Sequence, residues 1–211
     1  ECMGRIGVWL AAASGLARSG NGDGPDLIYL PERAFDERRF LDDVERLRRQ
    51  KGGILVVASE GLRNAGGEPV VEPVFQVGRA VYYGDVGSHL ANLIIRELGI
   101  KARSEKPGIC GRASIAFQSP VDREEAILAG REAVRAAVRG ESGVMVGFER
   151  MAGEEYRVET CLIPVEQVML AERTMPETFI NAAGNDVTDA FVDWCRPLLG
   201  GPLRSFARLR G

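Results

Sequence analysis

Histidine and cysteine are scarce in this chain of 211 residues, which has one histidine and four cysteines. Cys2, Cys110, Cys161 and Cys195 are far apart and none belongs to a C-x-x-C motif, so the sequence predicts neither a zinc site nor a disulfide framework. Few, unpatterned thiols are typical of a reducing compartment, and we expect a cytoplasmic protein.

Long hydrophobic runs and a charge excess of one sign are also missing. The longest apolar window, residues 7–17, is shorter than the roughly 20 residues that cross a bilayer, so we expect no membrane association. The net charge of -3 argues against a nucleic-acid partner, because such proteins carry a basic excess. With 45% hydrophobic and 27% charged residues, the chain has the composition of one large globular domain or two small lobes.

Arginine, in contrast, is abundant, because only three of the 27 basic residues are lysine and the other 24 are arginine. The segment 103–112 places Arg103, Lys106 and Arg112 around a Pro-Gly turn. Guanidinium groups match phosphate oxygens two at a time, and a glycine in the turn lets backbone N–H groups approach the same oxygens. The segment is therefore either an anion-binding loop or a solvated basic loop.

Two short apolar runs separated by an amphipathic segment indicate a parallel α/β arrangement. Residues 27–30 and 54–57 are continuously apolar, and between them Asp36 is the predicted N-cap of a helix with an apolar stripe. Strand, helix and strand in this order are typical of a parallel sheet. Glu60 directly follows the second run, where the loops of α/β folds converge on ligands. It is either an acceptor for a polyhydroxylated ligand or an exposed loop acid.

The remaining patterns predict further helices and strands along the chain. Helical spacing is present in residues 6–18, 85–98 and 122–138 and in a last helix that ends before Pro197, and strands are predicted at 144–148 and 156–160. Arg5 lies at the expected start of the first helix, where backbone N–H groups bind anions, although it could equally occupy a surface turn. His89 has no second histidine or cysteine nearby, which favours a packing or surface role.

Five blocks, taken in order, resemble the phosphofructokinase family. They are residues 3–5 (Met-Gly-Arg), 27–32 (Leu-Ile-Tyr-Leu-Pro-Glu), 56–61 (Val-Val-Ala-Ser-Glu-Gly), 103–112 and 184–188 (Gly-Asn-Asp-Val-Thr). The resemblance spans essentially the whole chain and is greatest to the pyrophosphate-dependent branch. It implies a phosphofructokinase-like α/β fold with a largely parallel sheet flanked by helices. It also implies that residues 1–211 are the C-terminal, sugar-phosphate-binding part of a two-lobed enzyme whose N-terminal phosphate-donor part is absent.

The resemblance implies a reaction of glycolysis, the transfer of a phosphoryl group from pyrophosphate or ATP to the 1-hydroxyl of fructose 6-phosphate, which gives fructose 1,6-bisphosphate. Such enzymes use Mg²⁺, which the missing upstream part would mainly bind, and they form homo-oligomers, here a dimer or tetramer. Arg5 would approach the transferring phosphoryl group as the catalytic residue. Met3 and Gly4 would contact the sugar phosphate.

Three further substrate-binding residues follow from the same resemblance. Glu60 would hydrogen-bond the sugar hydroxyls, and Arg112 would hold the 6-phosphate. Arg103 would reach the site of a neighbouring subunit. These roles fit phosphoryl transfer, which depends mainly on positioning and on the electrostatic stabilisation of oxygens.

Two stretches that the family uses for catalysis are missing from the sequence. Neither a Gly-Gly-Asp phosphate loop nor an Asp-x-Asp motif, which would supply the carboxylate that activates the attacking hydroxyl, occurs in these residues. The chain also begins at Glu1 without a methionine, and we expect it to be the middle of a longer polypeptide that is inactive as this piece alone. The alternative is a catalytically silent regulatory subunit or sugar-phosphate-binding module, which Ile6 and Ile109 favour because the family has polar residues there.

Overall fold

The structure, a computed structural model, describes residues 1–3, 9–18, 23–78, 80–153, 155–169 and 173–204, without the side chain of Arg112. The described chain forms two compact units, one of residues 1–113 and 173–194 and the other of residues 114–172 and 195–211. Gly4, Arg5 and Ile6 lie outside the described residues, and so does the predicted anion site at the start of the first helix.

The first unit contains the predicted strand–helix–strand segment. After helix α1 (Trp9–Ala13) and a 3-10 turn, strand β1 (Leu27–Tyr29) leads to helix α2 (Glu37–Lys51) and strand β2 (Val56–Ala58). Strands β1 and β2 are parallel, with Leu27 opposite Val56. All three residues of β1 are buried, as its continuous apolar run predicted.

Helix α2 has a capping side chain at its start and a glycine in the left-handed region at its end. The Asp36 side chain accepts a hydrogen bond of 2.8 Å from the backbone N–H of Arg39, which is the predicted N-cap. The helix ends at Gly52, whose φ of 77° suits glycine. Its apolar stripe, with Phe40 and Val44 buried, packs in a core with residues of β1, β2 and the following helix.

The rest of the first unit contains one predicted helix and one element that sequence patterns missed. Strands β3 (Pro73–Val77) and β4 (Ala80–Tyr83) form an exposed antiparallel hairpin that we did not predict. Helix α3 (Val86–Leu98) confirms the predicted helix, and Asp85 caps it by accepting a hydrogen bond from the N–H of Ser88. An irregular segment, residues 99–107, then precedes the short helix α4 (Ile109–Ala113).

The second unit is a helix followed by an antiparallel strand pair. Helix α5 (Pro120–Val138) begins two residues before the predicted start, because the Ser119 hydroxyl accepts hydrogen bonds from the N–H groups of Val121 and Asp122. Proline is tolerated at this first helical position, since its missing N–H would have no partner there. Strands β5 (Val144–Arg150) and β6 (Val158–Pro164) confirm the two predicted strands.

Two short helices complete the described elements, α6 (Val165–Val168) and α7 (Asp189–Cys195). Most of α7 belongs to the first unit, where the ring of Phe191 lies 5.6–6.3 Å, between ring centroids, from those of Trp9, Phe179 and Trp194. A 3-10 turn containing Pro197 follows α7. Within the described ranges, no helix is long and apolar enough to span a bilayer.

Candidate functional site

The first residues of the chain lie against the carboxyl end of β2. Cys2 pairs with Ser59 in a parallel bridge. The N–H of Cys2 donates to the carbonyl of Ala58 at 2.9 Å, and the N–H of Glu60 donates to the carbonyl of Cys2 at 3.1 Å. This pairing brings Met3 next to the turn that carries Glu60, as a shared substrate site requires.

The turn that presents Glu60 is fixed by its backbone. Ser59 is fully buried, and its N–H donates to the carbonyl of Tyr29 at 3.2 Å, which continues the parallel pairing. The Ser59 hydroxyl accepts a hydrogen bond of 3.0 Å from the N–H of Gly61. Glu60 lies between these two residues, half-buried at the edge of the parallel strands, where its carboxylate can accept hydrogen bonds from a hydroxylated ligand.

One cation of the basic loop is paired with two carboxylates. The Lys106 ammonium lies 2.9 Å from a carboxylate oxygen of Glu1 and 2.8 Å from one of Asp85. The Glu1 side chain is only 2% exposed and also accepts a hydrogen bond from the N–H of Gly87. Lys106 therefore ties the chain start to the N-terminus of α3, and it is less available to an external anion than the loop composition indicated.

The pKa shifts of Lys106 and Asp85 agree with a stable ion pair between them. Burial opposes the charged forms, but the hydrogen bonds between Lys106 and the two carboxylates outweigh it and raise the pKa of Lys106. Burial likewise acts to raise the pKa of Asp85, but Lys106 and the N–H of Ser88 hold that pKa well below its ordinary value. Glu1 differs, because burial is its largest influence and raises the pKa of its carboxyl.

Removal of the Asp85 carboxylate is expected to lower the free energy of unfolding. Asp85→Ala loses both the cap of α3 and the ion pair, which we expect to cost about 1–2 kcal/mol. Asp85→Asn keeps a capping oxygen and is expected to cost less. Since the pKa of Asp85 is depressed in the folded state, its charge stabilises the protein above pH ~4 and this contribution is lost as the pH falls. Urea unfolding of the three proteins at pH 7 and pH 3 measures this, and equal losses for both variants would show that the cap contributes nothing.

The structure describes Arg103 with its side chain and Arg112 by its backbone alone. Arg103 is exposed in the irregular segment after α3, and the described residues offer its guanidinium no ion-pair partner. Two residues further on, the carbonyl of Glu105 accepts a hydrogen bond of 2.7 Å from the Glu1 amino group, so this segment adjoins the chain start. The backbone of Arg112 belongs to α4, and its side chain lies outside the described part of the structure.

A largely buried polar network, which sequence analysis missed, joins β1, α2 and the turn that contains Asn185. Asp43 accepts hydrogen bonds from the amide of Asn185 at 2.6 Å, from the hydroxyl of Tyr29 at 3.2 Å and from the guanidinium of Arg46 at 2.6 Å. Asn185 also exchanges two hydrogen bonds with Asn181. The network explains the Gly-Asn-Asp-Val-Thr block as a turn that is joined to α2 and β1. Asn185 in a Gly-Asn-Asp turn was the available signal, but its partner Asp43 is 142 positions away.

The described residues contain no cluster of side chains suited to a metal ion. Magnesium prefers oxygen ligands such as carboxylates, and no group of three or more acidic, histidine or cysteine side chains suited to a metal occurs in the described part of the chain.

The geometry is that of an α/β protein with a candidate ligand site at the carboxyl edge of its parallel strands. The sequence profile of the phosphofructokinase family (PFK) matches residues 1–137. The pyrophosphate–fructose 6-phosphate 1-phosphotransferase of Rhodospirillum rubrum is 37% identical over 217 aligned positions, which cover 99% of this chain and 53% of that protein. The sulfofructose kinase of Alkalicoccus urumqiensis is 33% identical over 92% of this chain and 50% of its own length.

Solved structures give the same result. The pyrophosphate-dependent phosphofructokinase of Nitrosospira multiformis superposes with a TM-score of 0.78 at 30% identity, over 98% of this chain and 49% of that one. The chain belongs to the phosphofructokinase family, and it spans about half the length of the curated relatives it matches. The comparisons confirm the resemblance to the pyrophosphate-dependent branch and the phosphofructokinase-like α/β fold.

Proposed function

We propose that this chain is the sugar-phosphate-binding part of a phosphotransferase that transfers a phosphoryl group from pyrophosphate, or ATP, to fructose 6-phosphate. The observation that carries the proposal is the pairing of Cys2 with Ser59, which brings Met3 and Glu60 to one edge of the parallel strands. The names of the relatives support the acceptor and the donor, because several are pyrophosphate–fructose 6-phosphate 1-phosphotransferases.

Within this proposal, the Glu60 carboxylate accepts hydrogen bonds from the sugar hydroxyls and Met3 packs against the sugar. Arg112 and Arg103 neutralise the 6-phosphate, because guanidinium groups bind phosphate oxygens in pairs. The exposure of Arg103 suits a contribution to the site of a second subunit in a homo-oligomer. Gly4 and Arg5 complete the site, and Arg5 stabilises the charge on the transferring group.

The donor side belongs to a part of the enzyme other than these residues. A phosphate cradle, the carboxylate that activates the 1-hydroxyl and the Mg²⁺ ligands would all lie there, so the proposal includes no turnover by the 211 residues alone. Fructose 1,6-bisphosphate would be the product in the cytoplasm, as a step of glycolysis. Assay of the 211-residue chain and of the complete polypeptide that carries it, with pyrophosphate and with ATP, separates this enzyme from a silent sugar-phosphate-binding subunit.

Removal of the Glu60 carboxylate is expected to weaken fructose 6-phosphate binding by the complete polypeptide about 10- to 100-fold. The estimate corresponds to one or two lost hydrogen bonds to a charged group, about 1.5–3 kcal/mol. Titration calorimetry of Glu60→Ala measures the change, and the matched control is Glu72→Ala, which removes an exposed carboxylate near β3. An unchanged affinity for Glu60→Ala would contradict the site.

A titration of the complete polypeptide with sulfofructose, the sugar named in one relative, tests whether the anion on the bound sugar is phosphate or sulfonate.

A further inference from the structure

The proposed substrate-binding residues stand on three segments, and regular backbone pairing in the described part of the chain joins only two of them. The bridge between Cys2 and Ser59 fixes the chain start to the turn that carries Glu60. The third segment, residues 99–107, contains Arg103 and has no helical or strand structure. Its position relative to the other two therefore depends on contacts outside regular secondary structure.

Lys106 joins this segment to two other parts of the first unit. Its ammonium nitrogen lies 2.9 Å from a carboxylate oxygen of Glu1 and 2.8 Å from one of Asp85, the cap of α3. We call these three residues the Lys106 triad. The carbonyl of Glu105 adds a hydrogen bond of 2.7 Å from the Glu1 amino group. The segment thus holds Glu1 by its backbone and by its side chain.

Gly87 allows the close approach on which this triad depends. A Cβ atom at this position would lie 2.5 Å from the Ser104 hydroxyl oxygen and 3.2 Å from the Cβ of Glu1. The N–H of Gly87 also donates to the Glu1 carboxylate at 2.7 Å. Because both neighbours lie against the bare backbone of α3, the segment and the chain start pack on the same helical turn.

The triad makes Lys106 a poor direct ligand for phosphate. An ammonium group has three N–H donors, and two carboxylates already contact it. A phosphate brought to the same nitrogen would also meet the negative charges of Glu1 and Asp85, which repel it. A contribution of Lys106 to the sugar-phosphate site therefore acts through the residues that it holds in place.

Without the ammonium group, the carboxylates of Glu1 and Asp85 would repel each other at close range. The Glu1 side chain is only 2% exposed, so water screens its charge poorly. Removal of one partner from a buried ion pair leaves an uncompensated charge, and we expect the chain start and the N-terminus of α3 to move apart. Such a movement also shifts Arg103 relative to the chain start.

We propose that Lys106 is a positioning residue of the sugar-phosphate site, which holds Arg103 at a fixed place relative to Glu60. The turn that carries Glu60 bonds to Cys2, the residue after Glu1. Glu1 pairs with Lys106, and Arg103 lies three residues earlier on the irregular segment. The inference rests on the proposed function, in which Glu60 binds the sugar hydroxyls and Arg103 the 6-phosphate.

Calorimetric titration of the complete polypeptide with fructose 6-phosphate tests this role. Lys106→Ala is expected to weaken binding about 10-fold, because a misplacement of about 1 Å is enough to lose well-oriented contacts. Lys106→Arg keeps the charge and can pair with both carboxylates, so its affinity is expected to stay within about 3-fold of the native value. The matched control is Lys101→Ala, which removes an exposed lysine of the same segment without an ion-pair partner among the described residues, and we expect less than about a 2-fold change.

Glu1→Gln distinguishes positioning from direct contact between Lys106 and the phosphate. The substitution removes a negative charge and frees the ammonium group from one partner, so a direct ligand would bind the sugar phosphate more tightly. Positioning predicts the opposite, a weakening of about 3- to 10-fold, because the charge-assisted contact that holds the segment is lost. Added to Lys106→Ala, Glu1→Gln is expected to cause little further loss, since both substitutions break the same contact.

Hydrogen exchange of the complete polypeptide, followed by mass spectrometry without any sugar, gives an independent readout. In Lys106→Ala, the peptides that cover residues 85–89 and 100–108 are expected to exchange at least ~10-fold faster than in Lys101→Ala. A peptide that covers residues 93–98, at the far end of α3, is the internal reference and is expected to exchange at the native rate in both variants.

The possible outcomes are distinguishable. Native affinity in Lys106→Ala, where Glu60→Ala weakens binding, would overturn the positioning role, and so would native exchange at residues 100–108. Tighter binding by Glu1→Gln would make Lys106 a direct ligand of the phosphate. A native polypeptide with no affinity for fructose 6-phosphate would contradict the proposed function and this role with it, whatever the exchange rates are.

Discussion

Phe40→Ala is expected to lower the free energy of unfolding by about 3–5 kcal/mol. Phe40 is 0% exposed on the inner face of α2, and its ring lies 5.4 Å from the rings of both Tyr29 and Phe35. Its truncation removes the transfer free energy of the ring and leaves a cavity where β1, α2 and the turn before α2 meet. Urea unfolding followed by circular dichroism measures the loss, with an unchanged urea dependence indicating that the unfolded state is not altered.

The matched control deletes the same atoms from the surface. Phe75 on β3 is 61% exposed, and its main neighbour is the ring of Tyr82 at 5.9 Å. Phe75→Ala is expected to change the free energy of unfolding by less than about 1 kcal/mol. Similar losses for the two variants would show that the core is not organised around Phe40.

Local signals were sufficient to predict much of the first unit. The run at residues 27–30 predicted a buried strand because continuous apolar residues leave no polar face for solvent. The cap of α2 was predicted from Asp36, because a carboxylate beside free backbone N–H groups is a local arrangement. The cap of α3 is equally local, but the predicted helix began at Asp85 and so included its capping residue.

Register and exposed strands were less predictable. The apolar run at residues 54–57 predicted a strand two residues too early, because its pairing is fixed by β1 and by the Asp26 carboxylate, which accepts a bond from the N–H of Leu55 at 2.7 Å. An apolar run cannot specify such a register by itself. The hairpin β3–β4 was missed because its strands are exposed and lack a buried face.

The candidate site combines features that local sequence patterns predict with contacts between distant segments, which they do not. The position of Glu60 just after β2 could be predicted from the end of an apolar run, and its role as a ligand stays a prediction based on the carboxyl ends of parallel strands. The contact of this turn with Cys2, and the pairing of Lys106 with Glu1 and Asp85, join distant parts of the chain. Composition alone could not distinguish Lys106 from Arg103 and Arg112 as a possible anion ligand, whereas in the fold Lys106 is paired with two internal carboxylates.

Asp43→Ala is expected to lower the free energy of unfolding by about 2–3 kcal/mol, because it leaves the buried amide of Asn185 and the hydroxyl of Tyr29 without their acceptor. The Asp43 side chain is 13% exposed, so water replaces these bonds poorly. The control is Arg46→Ala, which removes a partner that is 53% exposed and is expected to cost less than about 1 kcal/mol. Equal losses in urea unfolding would assign the stability to the surface ion pair and contradict a role for the network.

The pH dependence of this loss follows from the pKa of Asp43. Burial acts to raise that pKa, but hydrogen bonds from Arg46, Asn185 and Tyr29 outweigh it and lower the value below that of an ordinary aspartate. A carboxyl whose pKa is lower in the folded state stabilises the protein above its unfolded pKa of about 4, and the contribution disappears as the pH falls through the folded value. The difference in free energy of unfolding between the native protein and Asp43→Ala is therefore expected to have its largest value at pH 7 and to decrease below pH ~4.

Because Asp43 and Asn185 share one hydrogen bond, the double variant Asp43→Ala, Asn185→Ala should lose less free energy of unfolding than the sum of the two single losses. Strict additivity would show that the two side chains act independently.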